Sequence, residues 1–289
     1  MATSPTVRQR ELGKRLRELR NQHGLTVEEV ADKLLCSATK ISRLETAARP
    51  PSLRDVRDLC ELYDLDAPTS AEFMTLAREA RQQMWWTQYE DLKLDPYLGL
   101  EAAAVAITSY TMYYIPALLQ TEEYTTEIIR TIAPKMDPHI LLERVKARMR
   151  RQQRMEEDDP PRYRVLLDEA VLHRAVGGPM VMAGQLDKVL QAERRGKVTV
   201  QVVSFDIGAH AAQDSNFILF EFAKNTNQSP VVSVEGLTGM QYLEKPADII
   251  RYREAIEYLG DSALSPGESI ALVTEKQKAY ADKAVDQSV

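Results

Sequence analysis

The sequence predicts a multidomain chain: an all-α helix-turn-helix bundle at the N-terminus, followed by an α+β domain with a small sheet of about four strands. Three observations lead there. Five short, capped helical patterns with brief connections crowd into roughly the first 75 residues. After Pro160-Pro161 the hydrophobic period changes from helical spacing to strand alternation. The charge also divides: residues 1–57 hold 12 Lys and Arg against 7 Asp and Glu, a balance of +5, while the remainder holds 25 against 36, a balance of −11. A length of 289 residues suits two domains, expected at 1–83 and 84–289.

Gln9 to Gln22 reads as the first helix, with Leu12, Leu16 and Leu19 in one stripe. Gly24 closes it as a C-cap residue, where positive φ is tolerated. Thr26 with Glu29 is a capping box, and Val27, Val30, Ala31 and Leu34 then share one face of a second helix. Leu35-Cys36 turns the chain, and Ser37 is a good N-cap for a third helix through Glu45. Ile41 and Leu44 point inward there, with Ala38 one turn earlier. Pro50-Pro51 breaks the chain. Ser52 with Asp55 caps a fourth helix carrying Val56, Leu59, Cys60 and Tyr63, and Thr69 with Glu72 is a second capping box for a fifth helix to about Arg81.

The third helix leaves Thr39, Lys40, Ser42 and Arg43 outside, all able to hydrogen-bond and two of them cationic, as base edges and phosphates require. Thr39, Lys40 and Arg43 are expected to face bases, with Arg43 best suited to a bidentate guanine contact. Thr26, Ser37, Ser42 and Arg49 are better placed for phosphates, and Ala38, at the start of the helix, belongs to the same DNA-facing set. The net charge of −6 argues against nucleic acid only until its distribution is considered: a basic module on an acidic body confines DNA contact to the module.

Residues 8–65 resemble the lambda-repressor/Cro (XRE-type) DNA-binding domain through Leu16, Arg20, Gly24-Leu25-Thr26, Ala31, Ile41-Ser42-Arg43-Leu44-Glu45 and Pro51. The resemblance implies a structural ion pair between Arg20 and Glu45. It also marks two departures. Val27 stands where a phosphate-binding glutamine often begins the second helix. Leu35 occupies a turn position commonly held by glycine, at a cost of about 1 kcal/mol if its backbone is left-handed.

Residues 84–100, with Trp85, Trp86, Tyr89 and Tyr97, carry too much apolar surface for a flexible linker and read as core packing of the second domain's first segment. Residues 101–132 are expected to form two helices split at Pro116, and a further helix runs from Pro138 to about Glu156. The basic outer residues of that helix, from Lys146 to Arg154, read as a solvated face, with DNA contact as the alternative. Strands are expected around Tyr163–Leu167, at 198–205, at 216–222 and at 231–237, and helices at 180–195, 247–260 and 267–283. Tyr110, Tyr113, Tyr114 and Tyr124 around Pro116 are the candidate ligand or partner surface, against the alternative of core packing.

This second part resembles the WhiJ-like, antitoxin-like actinobacterial regulators. The carriers are Trp85-Trp86, Gly99-Leu100-Glu101, the block Ile115-Pro116-Ala117-Leu118-Leu119-Gln120-Thr121 continued by Glu122-Glu123-Tyr124, Arg150-Arg151-Gln152 and Asp168-Glu169-Ala170-Val171-Leu172. The resemblance implies a transcriptional regulator, often paired with a small partner protein, without established catalytic residues. The alternative role it implies is that of an antitoxin-like component that masks such a partner and binds DNA for autoregulation.

Other classes find little support. The four histidines, His23, His139, His173 and His210, show no metal spacing, and Gly177-Gly178-Pro179 is a turn without the Lys-Ser/Thr of a phosphate loop. Asp168, Glu169 and His173, or Asp206, His210 and Asp214, are the only groupings that suggest acid/base work. No enzyme activity, cofactor or metal is expected. Neither a secretory signal nor a membrane-length apolar run is present, and the two cysteines suggest no disulfide framework. The expectation is a cytoplasmic homodimer on double-stranded operator DNA.

Overall fold

The computed structural model describes residues 5–82, 85–89, 95–224, 228–236 and 239–287. They form two units: residues up to 103 together with 222–228, and residues 104–221 together with 229–289.

In the first unit α1 (Pro5–Gln22) begins ahead of the expected Gln9. At the start of α2 (Val27–Lys33) the Glu29 N–H donates to Thr26 Oγ1 at 3.1 Å and the Thr26 N–H donates to Glu29 Oε2 at 2.7 Å. Ser37 Oγ accepts from the Lys40 N–H at 3.2 Å and starts α3 (Ala38–Glu45). Ser52 does the same for the Asp55 N–H at the head of α4 (Leu53–Leu62). The expected second capping box is corrected: α5 (Ala67–Glu79) starts earlier, capped by Asp66, whose Oδ1 accepts from the Thr69 N–H at 2.8 Å. Glu72 is taken instead by Arg15, which donates to both its oxygens at 2.7 and 2.9 Å.

These helices close over one core in which Leu12, Leu16, Val30, Ala31, Ile41, Leu44, Val56, Leu59, Cys60, Tyr63, Phe73, Leu76 and Ala77 are all buried. At Gly13 α1 crosses the end of α3 with no room for a side chain, since a Cβ would lie 2.6 Å from the Leu44 carbonyl oxygen and 2.8 Å from that of Glu45. The unit continues beyond residue 83. Trp86 and Tyr97 are buried, and in α6 (Asp95–Ala103) a Cβ on Gly99 would overlap the Thr6 side chain of α1.

Leu35 adopts the left-handed backbone its position suggested, with φ of 50°, and its side chain is 95% exposed. A leucine there carries the steric cost of that conformation and gains nothing from burial. Leu35→Gly is therefore expected to stabilise the unit by about 1 kcal/mol, less the added chain entropy of glycine. A lowered urea midpoint would contradict this.

The second unit is built on a mixed six-stranded sheet in the order β3-β2-β1-β4-β5-β6. Its strands are β1 (Ala106–Thr111), β2 (Arg162–Asp168), β3 (Thr199–Val203), β4 (Phe217–Glu221), β5 (Val231–Gly236) and β6 (Gly239–Leu243). β1, β2 and β3 run parallel, and β4, β5 and β6 continue the sheet antiparallel from β1. Parallel neighbours need long crossovers. Here these are α7 (Glu122–Ile132) with α8 (Pro138–Gln152), and α9 (Ala170–His173) with α10 (Gly178–Arg194). α11 (Pro246–Ser262) and α12 (Pro266–Asp286) complete the unit, and Ile249, Ile256 and Leu259 of α11 cover Tyr110, Leu166, Phe217, Leu219 and Val232.

Two of the six strands were not anticipated. Residues 106–111 form a central strand rather than part of a helix. Every residue of β1 except Thr108 is buried, so the run shows no alternation by which to recognise a strand. β6 is a short, half-exposed edge strand. The central position of β1 also corrects the tyrosine surface: Tyr110 is 1% exposed under α11, and Tyr124 is 0% exposed with its hydroxyl accepting from the Ile115 N–H at 3.2 Å. Tyr113 alone of the four is openly exposed, at 50%, while the Tyr114 hydroxyl donates to Glu235 at 2.5 Å.

The block around Pro116 earns its distinct composition through Gln120, which is fully buried. Its amide donates to the Ile115 carbonyl at 2.6 Å and accepts from Thr125 and Arg148, while its backbone oxygen accepts from Gln152 and Lys188 at 2.7 Å each. One residue, through its side chain and its backbone oxygen, thus joins the segment after β1 to α7, α8 and α10. Burial lowers the Lys188 pKa, the cost of placing an ammonium in this network. The basic face of α8 is used in the same way. Arg151 is buried, and Arg154, in the short turn that follows α8, donates to the Asp159 carbonyl at 2.7 Å.

Candidate nucleic-acid interface

The helix-turn-helix presents α3 as an exposed ridge. Ile41, Leu44 and Glu45 are buried beneath it, and Thr39, Ser42 and Arg43 face solvent. This division follows from helical spacing: positions 41 and 44 lie on the core side, and 39, 42 and 43 on the other. Arg43 and Arg49 are exposed, and neither side chain has a protein partner among the described residues. Ala38 is half-buried against the core, so only its methyl edge is available beside Thr39.

Thr26 and Ser37 are exposed caps. Each uses a hydroxyl lone pair to accept from a backbone N–H, which leaves its O–H proton free to donate to an anion. With Ser42 and Arg49 they provide donors suited to phosphate oxygens.

Lys40 is placed differently. Its Nζ donates to Asp55 Oδ1 at 2.6 Å, with the two side chains 27% and 15% exposed. The pair links the first turns of α3 and α4. It follows from two Ser caps, Ser37 and Ser52, each followed three residues later by the residue that forms the pair.

Behind the ridge, Arg20 Nε and Nη2 donate to the two carboxylate oxygens of Glu45 at 2.7 and 3.0 Å, and Nη1 donates to the Leu25 carbonyl at 2.8 Å. The side chains are 11% and 5% exposed. Hydrogen bonding to Glu45 raises the Arg20 pKa further. The guanidinium therefore ties the end of α1, the loop before α2 and the end of α3 together, and Glu45 faces inward, away from any ligand of the ridge.

In the second unit the candidate acid/base residues lie at the carboxyl ends of the parallel strands, where Tyr110 meets both Asp168 and His210. Glu169 lies 3.2 Å from His173 Nε2 and accepts from the Ser204 hydroxyl and the Phe205 N–H, and these hydrogen bonds hold its carboxyl below the usual range against the opposing effect of burial. His210 meets the Tyr110 hydroxyl at 3.2 Å, and its Nδ1 accepts from the Ala212 N–H. Asp206 and Asp214 are exposed. Among the described residues no cluster of three His, Cys, Asp or Glu could hold a metal ion, and no helix is long and apolar enough to cross a membrane.

Sequence reasoning located the exposed face of α3, the caps at Thr26, Ser37 and Ser52, and the Arg20–Glu45 pair, but misplaced the cap of α5. It missed Gly13 and the Lys40–Asp55 pair. A glycine inside a helix, where alanine would be favoured by about 1 kcal/mol, is a signal of close approach that could have exposed the first. The second needed the relative placement of two helices, which no local pattern encodes.

Comparison with known families gives two matches. A helix-turn-helix domain model matches residues 11–73, and a model described as a domain of unknown function (DUF5753) matches residues 94–275. None of the curated proteins compared with the chain matches it.

Proposed function

Since the chain belongs to the family of the domain of unknown function DUF5753, and its helix-turn-helix domain makes it a DNA-binding regulator, we propose that it controls transcription by reading a specific operator in the major groove. The observation that carries the proposal is the ridge of α3, where a solvent-facing arginine without a protein partner among the described residues shares the exposed face with two hydroxyl residues, Thr39 and Ser42. Arg43 takes the base-edge role, with Thr39 beside it, and Thr26, Ser37, Ser42 and Arg49 bind phosphates. One such module buries roughly 600–1,000 Å² of surface on DNA. A homodimer on two half-sites supplies the remaining affinity.

The second unit carries the signal or partner recognition in this scheme, with Tyr113, half exposed, as its candidate aromatic group. A cytoplasmic setting and the absence of catalysis complete the reading, and the likeness to XRE-type and WhiJ-like regulators supports it.

Genome-wide mapping of bound sites with the intact chain tests the proposal, because the recovered motif gives the half-site spacing. Arg43→Ala is expected to weaken operator binding by about 1–3 kcal/mol and to relax one base position. Unchanged affinity and motif in that variant would refute the docking of α3.

A further inference from the structure

Among the described residues, the Lys40–Asp55 pair is the one place where a cation of the recognition helix is held by the protein itself. On the strength of the DNA-binding role proposed above, we infer that Asp55 is a specificity-determining residue that keeps Lys40 from serving as a sequence-independent phosphate contact. The pair is short, at 2.6 Å, and both side chains are more than two-thirds buried. Releasing Lys40 to a phosphate would exchange one anion for another and gain little Coulomb energy. It would also leave a largely buried carboxylate unpartnered beside a polyanion. Lys40 therefore stays with Asp55 when DNA is bound, and the pair faces the duplex as a neutral unit.

The physical consequence is a restraint on non-specific binding. Each phosphate neutralised by a lysine or arginine steepens the dependence of log K on log salt by about 0.9 for duplex DNA, and this sequence-independent attraction supplies essentially all non-specific affinity. Locking one cation of the ridge lowers the affinity for every sequence, while the contacts made by Arg43 continue to discriminate between them. The basic module thus has fewer working cations than its composition suggests.

The test compares the full-length chain with Asp55→Asn, the double variant Asp55→Asn/Lys40→Gln, and Asp58→Asn. Asp58 is an acidic residue of the same helix that, among the described residues, pairs only with arginines of α4, so its variant controls for the simple loss of a charge. Binding to an unrelated duplex is measured across a salt series. Asp55→Asn is expected to steepen the salt slope by about 0.9, to raise non-specific affinity roughly tenfold at about 0.1 M salt, and to narrow the ratio between operator and unrelated DNA. The gain should vanish in the double variant and be absent in Asp58→Asn. An unchanged slope in Asp55→Asn, or a gain that persists without Lys40, would overturn the inference while leaving the DNA-binding role intact. Failure of the unaltered chain to bind any duplex would instead overturn that role and this inference with it.

Discussion

Gly13→Ala is expected to destabilise the N-terminal unit by about 2–3 kcal/mol. Helix propensity alone predicts the opposite sign, since alanine in a helix interior is favoured over glycine by about 1 kcal/mol. The contact decides against it. The new methyl would sit 2.6 Å from the Leu44 carbonyl oxygen, 2.8 Å from the Glu45 oxygen and 3.1 Å from the Glu45 carbonyl carbon. All three are backbone atoms at the end of α3, and no rotamer change can clear them. Overpacking of this kind costs about 1–3 kcal/mol, and more where a backbone must move. Relief by sliding α1 outward would also loosen Leu12 and Leu16, which are both buried against α3 and its neighbours. Both tryptophans, Trp85 and Trp86, lie in this unit, so their fluorescence in a urea titration reports its unfolding directly. Gly24→Ala offers a contrast, because a Cβ there meets nothing within 4 Å and only the φ of 64° is strained. A Gly13→Ala variant with a raised urea midpoint would mean that α1 and α3 do not cross as described.

That glycine illustrates what was legible in the sequence and what was not. The helices α2 to α5 of the first unit could be read locally, because each begins at a hydroxyl or carboxyl cap and carries its apolar residues at helical spacing. Thr26, Ser37 and Ser52 all cap as their positions suggest. The exposed face of α3 followed from the same spacing, so the candidate interface was largely visible before any tertiary structure. The second unit was harder for a physical reason. A strand buried on both faces, such as β1, has no alternating pattern, and its Ile, Ser and Tyr fit either a helix or a strand. The tyrosines near Pro116 looked like a surface because local sequence does not show that β1 lies at the centre of the sheet, between β2 and β4. Ion pairs behave similarly: the resemblance to the lambda-repressor/Cro domain links Arg20 to Glu45, whereas Lys40 and Asp55 meet only because α3 and α4 pack side by side.

Glu45→Ala should cost about 3 kcal/mol of stability and yet leave the DNA-facing residues in place. Removing one partner of a buried ion pair strands the other, at about 3–5 kcal/mol when no new partner is at hand. Arg20 would keep the Leu25 carbonyl but lose two donors' worth of carboxylate, with only 11% of its side chain reaching solvent. The nearby Tyr63 phenol supplies no countercharge. The Tyr63 hydroxyl is buried without a hydrogen-bond partner, and burial, reinforced by the Glu45 charge and opposed by Arg20, pushes its pKa up to about 12. Replacing both partners with apolar residues of similar size, Arg20→Met with Glu45→Leu, removes the stranded charge and should recover most of the loss, since such exchanges are often neutral or stabilising. The cycle separates structure from recognition. Well below its melting midpoint the Glu45→Ala chain should still bind operator with close to its original affinity, because Glu45 faces Arg20 and not the groove. Normal melting with abolished DNA binding would reverse that assignment and make Glu45 part of the reading surface. Reduced melting that the double variant does not repair would show instead that Arg20 contributes through its Leu25 contact, which holds the loop before α2 and with it the angle at which α3 is presented.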